Sequence, residues 1–207
     1  MEKLRKSVSR QFRVYRYVMY RETLVDIREH IWSFFGAFIG IGIIAFLQSL
    51  QFSGLENVFL IGSFGASAVL VYGAIQSPLA QPRNLVVGHV VSAIVGVTVA
   101  KLLPDVIWMT APLAVASSIV AMQVTRSLHP PGGATALIAV SGGAKITELG
   151  YWYVLSPVFS GALILLLVAL IFNNITKKRH YPVRYSRLRR SRRRQLRQRF
   201  LNKQTNI

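Results

Sequence analysis

The residues of this chain best suited to chemistry lie in one string, Arg126-Ser127-Leu128-His129-Pro130-Pro131-Gly132-Gly133-Ala134-Thr135-Ala136. The imidazole of His129 titrates near neutral pH, so it could carry a proton or contact an anion. Its ring could equally hydrogen-bond broken backbone at a turn. Arg126, and Arg83 in Gln81-Pro82-Arg83-Asn84, carry guanidinium groups suited to bidentate donation to a small oxyanion. The competing reading of each is a cytoplasmic loop charge. Gly65, Gly132 and Gly133 allow backbone to approach a ligand closely, and Ser67 and Thr135 offer hydroxyls. Pro130 biases His129 away from helix, and Pro131 can begin one. His89 reads as a buried histidine with a backbone partner.

Other chemistries lack their residues. Cysteine is absent, and the acids between Ile31 and Thr176 are Glu56, Asp105 and Glu148, all at the ends of apolar stretches. Two histidines without a carboxylate or thiolate in any span make a poor metal site. No carboxylate pair or nucleophile–base pair stands within the spans. The sequence therefore predicts no enzyme, no metal and no cofactor.

The elements that must position these residues are apolar stretches: 31–55, 57–82, 84–100, 106–125, 127–144 and 149–176. A helix of about 20 apolar residues crosses a bilayer. Ile31–Leu50, Val106–Val124 and Tyr151–Ile171 fit, as does Leu85–Leu103 if Lys101 snorkels to the interface. The second and fifth stretches carry glycine breaks, Gly62-Ser63-Phe64-Gly65 and Pro130-Pro131-Gly132-Gly133. The helical part of the fifth, Ala134 to Ser141, would be only about 12 Å long. The favoured layout has six crossings, two of them discontinuous. The alternative has four full spans and two re-entrant half-helices.

The two broken stretches repeat. Gly65-Ala66-Ser67-Ala68-Val69-Leu70 parallels Gly133-Ala134-Thr135-Ala136-Leu137-Ile138 at an offset of 68. Three crossings per unit invert one copy relative to the other, a 3+3 inverted repeat with halves 31–103 and 106–172. In transporters of that plan, paired broken helices meet near the midplane. The expectation is that helix N-termini near Gly65 and Gly133 approach each other and hold an anion.

Charge gathers at the two ends. Of 25 Lys and Arg, 8 precede Ile31 and 13 follow Thr176. Residues 1–30 read as a basic N-terminal segment, with Val8–Ile27 a candidate amphipathic surface helix. Residues 173–207 read as a basic tail. Arg189-Arg190-Ser191-Arg192-Arg193-Arg194 suits nucleic acid, but attraction to anionic lipid headgroups is the stronger reading. The positive-inside rule puts both termini in the cytoplasm. Trp32, Trp108, Tyr151, Trp152 and Tyr153 read as an interfacial aromatic belt. The Gly36-x3-Gly40 spacing permits a homo-oligomer.

The His-Pro-Pro-Gly-Gly-Ala-Thr-Ala string resembles the signature of the HPP family of integral membrane proteins. The Gly62–Ala68 and Gln81–Asn84 stretches are similar to that family too, and the resemblance covers about Ile31 to Phe172. It implies a polytopic membrane protein, since family members are described so, and plant-plastid and cyanobacterial members are associated with nitrite transport. Some bacterial members carry CBS domains, which this sequence lacks.

These readings converge on an all-α, polytopic, multi-pass bundle in a bacterial inner membrane. Its expected function is to carry or conduct a small inorganic anion, nitrite by resemblance, between opposed half-helix N-termini. Gly65, Ser67, Arg83, Arg126, His129, Gly132, Gly133 and Thr135 are the expected site. The alternative is a non-transporting scaffold or regulator that acts through its polybasic tails.

Overall fold

The computed structural model describes residues 27–52, 54–104, 106–176 and 179–183. Most of the expected surface helix before Ile27, and the arginine run from 189 to 194, lie outside the described residues. Among these residues the elements are all helical. Helix α1 is Ile27–Ser49; α2 is Leu55–Ala68, widening into a π turn at Val69–Gly73. A 3-10 turn, Pro78–Ala80, leads into α3, Pro82–Leu102, and then α4, Ile107–Val124. The short α5, Pro130–Ser141, is followed by α6, Ala144–Leu149. A π segment, Val154–Phe159, kinks at Ser156 and runs into α7, Ser160–Phe172.

Four of these are long and apolar enough to cross a membrane: Ile27–Ser49, Pro82–Leu102, Ile107–Val124 and Val154–Phe172. Polarity is inside out for a water-soluble bundle. Phe34, Phe38, Phe46, Trp108 and Val124 face outward, whereas Ser63, Ser67, His89, His129 and Thr135 are buried. That distribution suits a hydrocarbon surround.

Side-chain bonds fix the two ends of the bundle. At one end Ser33 Oγ, on the first turns of α1, donates to Tyr72 O at the end of the α2 π turn (2.7 Å). Arg83, at the start of α3, donates to Thr125 O at the end of α4 (2.8 Å). Arg179, just after α7, donates to Glu29 O (3.0 Å). At the other end Gln51 and Phe52 share a cavity with Lys145, Glu148 and Leu149. Successive segments therefore run back and forth between a tail-side end and a far end.

Several expectations change. Gly62 and Gly65 do not break α2, which runs continuously from Leu55. Glycine is tolerated inside membrane helices because packing, not propensity, holds them. The N-termini of α2 and α5 consequently lie at opposite ends, and the expected pair of facing N-termini does not form. Helix α5 starts at Pro130, not Ala134, because proline suits the first helical position. Its 12 residues span about 18 Å. Tyr153 is fully buried and donates to Thr135 O (3.0 Å), so it belongs to the core and not to the aromatic belt. Gly36 and Gly40 are filled from within the chain. A Cβ at Gly36 would sit 2.8 Å from Tyr72 Cδ1, and one at Gly40 2.5 Å from Tyr72 Oη. Tyr72 lies in that groove and donates to Leu165 O on α7 (3.1 Å), which closes this route to an oligomer.

Candidate functional site

The first turn of α5 and the middle of α2 meet beside α3. The chain before α5 is clamped by α3: Asn84 Nδ2 donates to Leu128 O (2.7 Å), and Arg83 holds Thr125 O. One turn on, Gly88 lets the chain pass. A Cβ there would lie 2.6 Å from His129 Cβ and 2.7 Å from Ser127 O. Any side chain would push His129 away.

His129, so placed, is fully buried. Its Nδ1 is 2.8 Å from Leu79 O and its Nε2 is 3.0 Å from Ser67 Oγ. Ser67 Oγ is also 2.7 Å from Nε2 of His89, whose Nδ1 is 2.7 Å from Thr135 Oγ1. Thr135 Oγ1 is 2.9 Å from Ser63 Oγ, and Ser63 Oγ donates to Pro131 O (3.1 Å). The two rings lie 5.0 Å apart between centroids, edge to face.

Donor arithmetic assigns the hydrogens for neutral rings. Leu79 O can only accept, so His129 Nδ1 bears a proton and its Nε2 is bare. Only Ser67 reaches that Nε2, so the single Ser67 proton points there. His89 Nε2 must then donate to Ser67, and its bare Nδ1 accepts from Thr135. The result is one directional chain, Thr135 to His89 to Ser67 to His129 to Leu79 O, with Ser63 donating to Pro131 O beside it.

The same atoms can hold one more proton. With both His129 nitrogens protonated, Ser67 turns to donate to His89 Nε2. The His89 proton then sits on Nδ1 and faces Thr135, whose hydroxyl turns to Pro131 O at 3.4 Å. No partner is lost. The added charge, however, lies in an apolar interior, where it is costly without a counter-ion. No group of three or more His, Cys, Asp or Glu comes together among the described residues.

The expected site is thus partly assembled. Ser67, His129 and Thr135 meet, and Gly132 supports them: a Cβ there would sit 2.7 Å from Ser92 Oγ. A Cβ at Gly133 would sit 3.8 Å from Val115 Cγ1 on α4, and one at Gly65 would meet nothing within 4 Å. Neither joins the network. Arg83 and Arg126 are exposed at the tail-side end. Arg126 adopts φ 53° and ends α4: its N–H donates to Gln123 O (3.1 Å), and Ser127 N donates to Met122 O (2.8 Å). That is a left-handed helix stop. The N-terminus of α5 is poor in free donors, since Pro130 and Pro131 have no N–H and Gly132 N donates to His129 O (2.8 Å). His89 was expected to find a backbone partner; its partners are hydroxyls. Its sequence signal is Gly88, Ser92 and Gly96, a small-residue face that lets α5 come close.

The basic tail also enters the fold. Arg179 is 2% exposed. It donates to Tyr72 O (2.7 Å), Asn173 Oδ1 (2.8 Å) and Ser33 Oγ (3.2 Å), with Glu29 Oε2 3.4 Å from its Nε. Burial lowers the guanidinium pKa from its ordinary value, and the Glu29 carboxylate raises it in opposition. Tyr181 donates to Ala80 O (2.7 Å), beside the Leu79 carbonyl that holds His129. Burial raises its phenol pKa.

An apolar-surfaced helix bundle around a buried histidine–hydroxyl network defines an integral membrane protein. The chain belongs to the HPP family: the family profile described as "HPP, transmembrane region" matches residues 22–182. It is similar to two proteins of Dictyostelium discoideum, each named a transmembrane protein. One is 51% identical over 161 residues, covering 76% of this chain and 51% of the relative. The other is 45% identical over 166 residues, covering 79% of this chain and 58% of the relative. The chain thus spans a little over half the length of these curated relatives. Their source lends no support to a bacterial membrane. No solved structure matches the chain.

Proposed function

We propose that this chain carries or conducts a small inorganic anion across a membrane, together with a proton, and that nitrite is the first candidate by family resemblance. The observation that carries this is Ser67 held between His89 and His129 inside an apolar bundle. Buried ionisable groups in membrane segments mark ion and substrate paths. A network that accepts one proton, with no carboxylate bonded to it among the described residues, favours an anion as its companion. Six crossings in a 3+3 inverted repeat fit the alternating ends. They also fit the bond from Ser63 to Pro131, residues related by the repeat offset of 68. In this layout the basic ends share the cytoplasmic side, where they meet anionic lipid.

The test is nitrite uptake into proteoliposomes with a simultaneous internal pH reading. Saturable uptake with internal acidification, lost in His129→Ala but kept in Arg126→Ala, is the expected result. Uptake that ignores both histidines would remove the site. No uptake of nitrite, nitrate, formate or chloride by inserted protein would remove the transport reading.

One observation favours the scaffold reading: the hydrogen-bond chain ends on backbone carbonyls at both sides, Leu79 O and Pro131 O, like a structural clasp. In that case His129→Ala would lower stability and no flux would exist to lose.

A further inference from the structure

A second polar feature lies at the far end of the bundle. Gln48, near the end of α1, is 5% exposed, yet neither its Nε2 nor its Oε1 has a partner. Buried amides without partners are rare and costly. Gln48 lines a cavity of about 250 Å³ between α1 and the kinked start of the last span. Ser156, Ser160 and Gln51 also line it, and the remaining lining residues are Ile44, Leu47, Leu50, Pro157, Gly161 and Ile164. Gln51 also borders a second, more open cavity of about 320 Å³ lined by Lys145 and Glu148. In the other direction, Gly161 lines the cavity and a methyl group at Gly161 would collide with the Phe64 ring. The Phe64 ring lies 5.2 Å from the His89 ring. One aromatic ring therefore links the cavity wall to the histidine network.

The lining states what this cavity takes. Gln48 offers one acceptor and one donor side by side, and no lining residue is charged. Ser160 spends its hydroxyl proton on Pro157 O (3.2 Å), which leaves its oxygen to accept. A bare anion would find amide N–H donors but also a carbonyl oxygen and a hydroxyl lone pair, and no cation to balance its charge. A small weak oxyacid in its neutral form fits: its O–H donates to Gln48 Oε1 and its X=O accepts from Gln48 Nε2. We infer that the Gln48 cavity is a binding site for a small oxyacid in the protonated form, an inference that rests on the transport reading above for its place on the path.

The absence of cysteine makes a direct binding test available. In the full chain with Ser160→Cys, a methanethiosulfonate reagent is timed with and without sodium nitrite or sodium formate. The protected-to-unprotected rate ratio is taken at each pH. Protection of severalfold that strengthens as pH falls, and disappears when Gln48→Leu is added, is the expected result. Gln48→Leu removes an unpartnered amide, so it should fold at least as well. Protection independent of pH, or given by urea instead, would overturn the oxyacid assignment. Labelling that neither acid slows, or that Gln48→Leu leaves protected, would overturn the site. The assay reads binding, so protection in Ser160→Cys beside absent flux in wild type would fail the transport reading and leave the site standing.

Discussion

Ser67 on α2 touches both histidines at once, 2.7 Å from His89 Nε2 and 3.0 Å from His129 Nε2. A hydroxyl has one proton and two lone pairs, so it alone lets one ring donate while the other accepts. Ser67→Ala leaves the two Nε2 atoms facing a methyl group. The expected cost is about 1–3 kcal/mol for stranded buried partners. Proton-linked acidification should fall at least tenfold, while Ser67→Thr retains much of it. Thermal unfolding in detergent and the liposome pH assay check both. Full acidification by Ser67→Ala would show that the hydroxyl is not in the proton path.

Gly88 sets where His129 can stand. Gly88→Ala puts a methyl carbon within 2.6 Å of His129 Cβ and 2.7 Å of Ser127 O, one of them backbone. Overpacking of this kind costs about 1–3 kcal/mol. The loop before α5 should move and flux should fall, whereas Gly62→Ala, which meets nothing within 4 Å, should leave both unchanged. Equal stability for the two variants would argue against this close approach.

Arg126 is a helix stop, which the charge pattern could not reveal. At φ 53° a side chain is strained by roughly 1 kcal/mol relative to glycine. Arg126→Gly should therefore keep or raise the unfolding temperature, with nitrite uptake unchanged. A large loss of uptake in Arg126→Gly, with folding intact, would restore the anion-binding reading of this arginine.

What the sequence made legible follows from how local each cause is. The apolar stretches are local sums, and they match four helices long enough to cross. Ser67, His129 and Thr135 were singled out because they stand in matching small-residue strings, and all three join one network through His89 and Ser67. His89 was not legible as a network member. Its partners come from α2 and α5, far along the chain, and one histidine in an apolar run shows no neighbours. Gly62 and Gly65 misled for the opposite reason: local propensity says break, while packing keeps the helix. Arg179 was hidden among like charges, although Asn173 and Asn174, a polar pair ending an apolar span, mark where the chain turns back.

Arg179 gives the last prediction, since it changes how the basic tail must be tested. The guanidinium joins Glu29, Ser33, Tyr72 and Asn173, which ties α1, the end of α2 and the end of α7 together. Removing one partner of such a buried charged cluster costs about 3–5 kcal/mol. Arg179→Ala should unfold at clearly lower temperature than wild type. Arg179→Lys should fall between, because an ammonium cannot reach the same four acceptors in one plane. Deleting residues 178–207 would remove this cluster and the Tyr181 bond to Ala80 O (2.7 Å), so its loss of function would say nothing about lipid or partner binding. Deleting 184–207 leaves both in place. That shorter chain should keep its unfolding temperature and its nitrite flux, while losing affinity for anionic vesicles. If it instead loses flux at unchanged stability, the basic tail takes part in transport itself.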